Sequence, residues 1–356
     1  MKKSLSLALY VLFYIFLYSG SSHQALPAPP PPPSQRLLKA YQALQAWKHA
    51  MTSDPNNFTS NWHGSDVCKY NGVTCYKAPD DPHVQTVAGI DLNHAGISGS
   101  LPEALGLLTD LAFFHINSNR FSGTIPRSFR NLRLLYELDA SNNQFTGSFP
   151  QVVLYLPALK FLDIRFNGFQ GDVPSKLFDL KLDAIFINDN KFRIRLPYNI
   201  GNSPVSALVM ANNNIEGPLP LSIARMENTL EEIILSNTGL TGCLPQEIGK
   251  LVNLTVLDVS SNNLVGSLPE SLGRMRSLEQ LDVENNRFSG KIPASICSLP
   301  KVDEITLSNN YFSGKPQICS KLPDKDDRKN CIPNRPSQRS ATECKSLRSQ
   351  RVGCNV

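Results

Sequence analysis

No Gly-x-Ser-x-Gly turn, His-Glu-x-x-His helix or glycine-rich phosphate loop occurs in the chain, so the common hydrolase, metalloprotease and nucleotide-binding chemistries have no anchor in it. Histidine is scarce, six in all, and His94 and His115 with nearby aspartates lack the close ligand spacing of a metal centre. A non-catalytic protein with no cofactor and no metal is expected. Long apolar runs are equally sparse. Only residues 5–18 form one, too short to span a bilayer comfortably, and no hydrophobic tail offers a lipid-anchor signal. A chain that does not span a membrane is expected.

Lys2 and Lys3 ahead of that run and small residues at 19–22 behind it have the layout of a secretory signal peptide, assigned to residues 1–25. Eight cysteines and two N-glycosylation sequons, at Asn57 and Asn253, agree with a secreted, oxidising destination. Residues 26–36 read as a short proline-rich spacer, stiff because a run of prolines holds an extended helix. Cys68 and Cys75 lie close enough to pair. Cys297, Cys319, Cys331, Cys344 and Cys354 crowd the other end, where spacing fixes no connectivity, and Cys243 has no obvious partner inside the repeats. An internal arrangement is favoured, with a disulfide-linked dimer as the alternative.

Between residues 87 and 316 a phrase close to Leu-x-x-Leu-x-Leu-x-x-Asn-x-Leu-x-Gly-x-Ile-Pro returns ten times. Its asparagine slot reads Ala95, Asn119, Asn143, Asn167, Asn190, Asn213, Thr238, Asn262, Asn286 and Asn310. An inward amide must find hydrogen-bond partners, and one per coil can bond its own and neighbouring coils as a ladder that Ala95 and Thr238 weaken. Alternating apolar pairs before the slot, such as Leu162 and Ile164, mark short strands that stack in parallel. After it, glycine supplies turn freedom everywhere except in repeat five, which has Ile194. These features predict an α/β fold, a right-handed leucine-rich-repeat solenoid of plant type with disulfide-bonded caps at both ends. One coil cannot bury its apolar side alone, so the stack needs lids. Residues 37–86 form the first, where Leu37, Tyr41, Leu44, Trp47 and Met51 recur at helical spacing. Residues 317–356 form the second, a cysteine-rich basic tail. From residue 320 onward it holds nine Lys or Arg against four Asp or Glu, which matches the whole chain's net +5. Such a tail suits pectin or another acidic polysaccharide; nucleic acid is not expected for a secreted solenoid.

Strand residues between the buried leucines point to the concave face. There the central slot runs Asp91, His115, Asp139, Asp163, Phe186, Val209, Ile234, Asp258, Asp282, Thr306, with adjacent acids such as Glu137, Glu232 and Glu284 against the single Arg165. Acidic ends flank an apolar middle built from Phe161, Phe166, Phe186, Val209 and Ile234. Aromatic anchors rimmed by carboxylates fit a basic peptide or protein surface. The candidate binding residues are therefore Phe161, Phe166, Phe186, Val209, Ile234, Asp139, Asp163, Asp258, Asp282, Glu284 and His115. Part of the acidity is generic to such repeats, since Asp commonly follows the strand leucine. His115 between Asp91 and Asp139 should favour its charged form.

Beyond the repeat, the stretches Ser53 to Thr59, Gly64 to Cys68, Thr86 to His94, Phe114 to Phe121 and Leu182 to Ile187 resemble the plant leucine-rich-repeat extensin family. So does Cys331-x-Pro-x-Arg-Pro-x-Gln-Arg-Ser340 with Cys344 beyond it. The resemblance implies a cell-wall, apoplastic protein whose repeats bind basic, cysteine-rich rapid alkalinisation factor (RALF-type) peptides in wall-integrity and growth control. The family's Ser-Pro-Pro-Pro-Pro series does not occur here, so a member lacking the extensin tail is expected. An inhibitor of a secreted pectin-degrading enzyme, like the polygalacturonase-inhibiting proteins, and a structural pectin-binding wall protein are the alternatives.

Overall fold

The computed structural model describes residues 34–321, 324–348 and 354; the expected signal peptide and residues 26–33 of the spacer lie outside them. Among the described residues no helix is long and apolar enough to cross a membrane. The first element is helix α1, Gln35–Ala50, whose N-terminus is capped by Ser34 Oγ accepting from the Leu37 N–H at 3.2 Å. Its Ala40, Ala43, Leu44 and Trp47 are buried, while Leu37, Tyr41 and Met51 pack partly buried against the same core. Trp47 lies 5.5 Å from Phe114 and 5.6 Å from Phe121, ring centre to ring centre. The helix therefore covers the first coil's apolar end.

A twelve-stranded sheet runs the length of the repeats. It opens with an antiparallel pair, Val73–Ala78 against Asp81–Asp91, and continues in parallel, one three-residue strand per coil, from Phe113–His115 to Glu304–Thr306. A twelfth strand, Asp324–Asp326, adds to it past the last of the ten phrases. On the other side of each coil further strands form a second sheet, interrupted between Asn214–Glu216 and Thr241–Gly242. That gap falls in the coil where Thr238 replaces asparagine. In repeat five the strand Lys191–Arg195 has Ile194 and no left-handed residue at this place; other coils have a glycine there such as Gly123, φ +85°. The proline after most of the turns proves to be the residue before a short 3₁₀ helix, as at Pro126, Pro150 and Pro174, where its fixed φ suits the entry; after Pro293 the helix starts only at Ile296.

The asparagine ladder is realised as read. Asn167 Nδ2 donates to Ala140 O of the preceding coil at 3.0 Å and to Ile164 O and Arg165 O of its own. Its Oδ1 accepts from the Phe145 N–H at 3.0 Å. A phenylalanine spine follows that ladder inside the core, with Phe145, Phe169 and Phe192 stacked at 6.2 and 6.1 Å. Asn330 adds one more rung, donating to Leu307 O and accepting from the Phe312 N–H.

All eight cysteines pair within the chain: Cys68 with Cys75, Cys297 with Cys319, Cys331 with Cys344, and Cys243 with Cys354. The internal arrangement that the sequence favours is the one found, and the alternative of a dimer bridge through Cys243 is set aside. Its partner is 111 residues away, because the tail brings Cys354 back beside coil seven. The Cys331 to Ser340 segment closes the stack: Arg339 Nε donates to Asn310 O at 2.8 Å while its guanidinium lies 4.4 Å from the Tyr311 ring centre. Helix α2, Ala341–Arg348, follows through a reciprocal cap between Ser340 and Glu343.

Candidate functional site

The outward face of the long sheet carries two parallel rows set by strand register. One runs Glu137, Phe161, Ala184, Ala207, Glu232, Val256, Gln280, Glu304; the other runs His115, Asp139, Asp163, Phe186, Val209, Ile234, Asp258, Asp282, Thr306. Period two places the intervening Leu138, Leu162 and Ile185 in the core at 0% exposure, which forces their neighbours outward. Phe161 and Phe186 are half-buried and meet across the strands at 5.5 Å between centroids, tilted by 50°. Ile234 is half-buried in the same row.

Three expected contributors behave differently. Val209 is 7% exposed, so with Ala184 and Ala211 it forms floor rather than contact surface, its short side chain sunk between larger neighbours. Asp163 is 1% exposed and is no open steering charge. Burial, with the Asp139 carboxylate adjoining, pushes its pKa up to about 7 against the opposing pull of Arg165 and the Arg165 N–H. Phe166 is not on the strand at all. It lies in the turn beyond, at φ +51°, in the slot that holds His94, Ser118, Asn142, Asp189 or Asn212 in other coils.

Left-handed backbone costs a bulky residue roughly 1–2 kcal/mol, and asparagine tolerates it far better. Phe166 nevertheless stands 45% exposed. Replacing Phe166 with Asn should raise the unfolding free energy by about 1 kcal/mol, read from the urea midpoint. A midpoint that falls would contradict the strain argument.

The acid slots serve the backbone first. Asp139 Oδ1 accepts from the Ser141 N–H and hydroxyl, Asp258 Oδ1 from those of Ser260, and Asp282 Oδ1 from the Glu284 N–H. Each aspartate thereby ties off its strand's end, which is why the residue recurs whatever the ligand. Asp139, Asp258, Asp282 and Glu284 remain half-buried on the outward face. Burial raises the Asp282 pKa, with Asp258 and Glu284 adding to the effect, although the Thr306 hydroxyl and the Glu284 N–H oppose it.

At the N-terminal end His115 Nε2 lies 2.9 Å from Glu137 Oε2. Burial opposes charge on the imidazole, but the Glu137 contact and the fields of Asp139 and Asp91 outweigh it and raise the pKa. Glu137 is thus a nearer partner than the two flanking aspartates. At the other end Arg328 forms a bidentate pair with Asp326 at 2.8 and 2.6 Å, so a cation covers the terminal acid there. Sequence spacing missed this pair because Lys325 and Asp327 occupy positions where a repeat would show apolar residues. Both sequon asparagines, Asn57 and Asn253, are exposed.

Family models match the chain as a leucine rich repeat N-terminal domain at residues 39–76 and as leucine rich repeats at 110–132, 228–288 and 253–312. Leucine-rich repeat extensin-like protein 6 of Arabidopsis thaliana is 75% identical over 320 residues, which is 90% of this chain and 68% of that protein. Leucine-rich repeat extensin-like protein 3 of the same plant is 66% identical over 88% of this chain but only 41% of its own length. Among solved structures, the leucine-rich-repeat ectodomain of the Arabidopsis receptor kinase HAESA, in complex with an N-terminally extended IDA peptide hormone, superposes with a TM-score of 0.72 at 27% identity. The match covers 83% of this chain and 50% of that one. Caps, coils and sequence identity agree, and the chain belongs to the leucine-rich repeat extensin-like family.

Proposed function

We propose that this is a secreted, non-catalytic protein of the plant cell wall whose concave repeat face binds a basic, cysteine-rich signalling peptide of the rapid alkalinisation factor type, in wall-integrity or growth control. The observation that carries the reading is the half-buried Phe161–Phe186 pair, set in register between acid-bearing coils. Each ring can bury roughly 150–250 Å², and the carboxylates around it favour cations on approach. The peptide-hormone complex of the structurally similar HAESA ectodomain supports a peptide as the class of ligand.

Changing Phe161 and Phe186 together to Ala should weaken binding of a rapid alkalinisation factor peptide by about 30-fold or more, as expected for the loss of a central aromatic anchor. Changing Lys329 and Lys345 in the tail to Gln should alter it less than threefold, an exposed charge being worth about 0–1 kcal/mol. Equal affinities for the two variants, measured by titration calorimetry, would rule out this face as the binding surface.

A further inference from the structure

Arg165 already sits where a ligand's cation would be held. Its guanidinium carbon lies 5.1 Å from the centroid of the Phe186 ring, and Phe161, on the strand that leads into Arg165, packs against the same ring at 5.5 Å. Its Nε is 3.0 Å from Asp163 Oδ2, yet the angle is poor enough that this N–H has no hydrogen-bond partner. A buried carboxylate is stable only when well paired. Asp163 has the Arg165 backbone N–H at 3.1 Å on one oxygen and this misaligned contact on the other. Its raised pKa says the same thing, that Arg165 does not offset the desolvation. The coil thus holds the parts of a cation site, a desolvated carboxylate beside aromatic rings, filled imperfectly from within.

Resting on the peptide-binding reading above, we propose that Asp163, Phe161 and Phe186 form a subsite for one guanidinium or ammonium group of the ligand, and that Arg165 plugs it in the free protein and swings out when the ligand's cation enters. The Arg165 side chain is 38% exposed and so has a path to solvent. Glu232, which already feels its charge from the third strand along the sheet, gives the displaced guanidinium a place to go. A plug lowers apparent affinity by the fraction of time it is seated, and it keeps solvent and weak cations off the buried carboxylate.

The test uses a labelled hexa-arginine peptide at pH 7.5, titrated by fluorescence anisotropy. Arg165→Gln should tighten binding about tenfold, as for a plug seated about nine-tenths of the time, and the gain should vanish when Asp163→Asn is also present. Lys160→Gln removes a neighbouring positive charge without touching the subsite and should change affinity less than twofold. Thermal melts identify any variant that fails to fold, and the Arg165→Gln comparison in the two Asp163 backgrounds stands without the aromatic variants. Unchanged or weakened binding by Arg165→Gln, or an equal gain with Asp163→Asn or with Lys160→Gln, overturns the plug. If those results come with a loss of binding in Phe161→Ala, the plug alone falls; if the aromatic variants also bind normally, the concave-face reading falls with it.

Discussion

Replacing Asn262 with Ala is expected to lower the unfolding free energy by about 4 kcal/mol, the largest effect of any single polar substitution in the repeats. Asn262 Nδ2 donates to Leu235 O at 2.8 Å, Val259 O at 3.0 Å and Ser260 O at 3.0 Å. Its Oδ1 accepts from the Thr238 N–H at 3.1 Å, the Thr238 hydroxyl at 2.9 Å and the Leu240 N–H at 3.0 Å. Truncation orphans the Thr238 and Leu240 N–H groups inside the core, while the three carbonyls each lose one donor and keep another: the Thr238 hydroxyl on Leu235 O, Asn286 Nδ2 on Val259 O and the Asn237 N–H on Ser260 O. Each unsatisfied group costs about 1–3 kcal/mol, and partial relaxation brings the sum to the stated figure. The position is more exposed to damage than other rungs because Thr238 has no amide to reach back to coil six, where only its carbonyl serves, accepting from the Ile215 N–H at 2.7 Å. Urea unfolding measures the loss, and amide exchange should speed up first at Thr238 and Leu240. A change under about 1 kcal/mol would mean that the ladder contributes little net energy.

Asp163→Asn is expected to act in the opposite direction. The folded protein holds this carboxyl proton up to about pH 7, whereas the unfolded chain releases it near 4. Between those values the native state binds more protons, so stability falls as pH rises through the window and the full cost is present above it. At 1.36 kcal/mol per unit the ceiling is about 4 kcal/mol. Losing the Arg165 interaction returns part of that, leaving a gain of about 2 kcal/mol for the amide at pH 8. At pH 4 the two chains should be equally stable. Comparing them at both pH values cancels every other titrating group, His115 and Asp282 included. If Asp163→Asn destabilises at pH 8, the carboxylate is a net stabiliser and the site is not under strain. A chain that keeps a carboxylate where an amide would fold better has retained it at the expense of stability, which accords with a role in binding.

Much of this was legible without coordinates. A strict 23- to 25-residue period places each asparagine, each strand and each outward slot, since alternation along a strand leaves no choice of face. The Phe161–Phe186 contact follows from two outward residues two positions apart on neighbouring strands. The same period assigns Phe166 to the slot just before asparagine, a turn position; grouping it with the strand aromatics by residue type hid its positive φ. Val209 and Asp163 occupy the predicted row, but row position carries no depth, and depth depends on how far neighbouring rings and Arg165 lean across.

What the sequence determined by itself is whatever repeats: the solenoid, the amide ladder, the lids and the order of side chains along the outward face, because each is dictated locally by hydrogen-bonding need and apolar period. What only the tertiary structure decided is whatever happens once: the return of Cys354 to Cys243, the extra strand built on Asp324–Asp326, the Arg328 cover over the terminal acid and the sinking of Asp163 beneath its neighbours. Those depend on contacts between residues far apart in the chain or on the tilt of individual side chains, and no period encodes either.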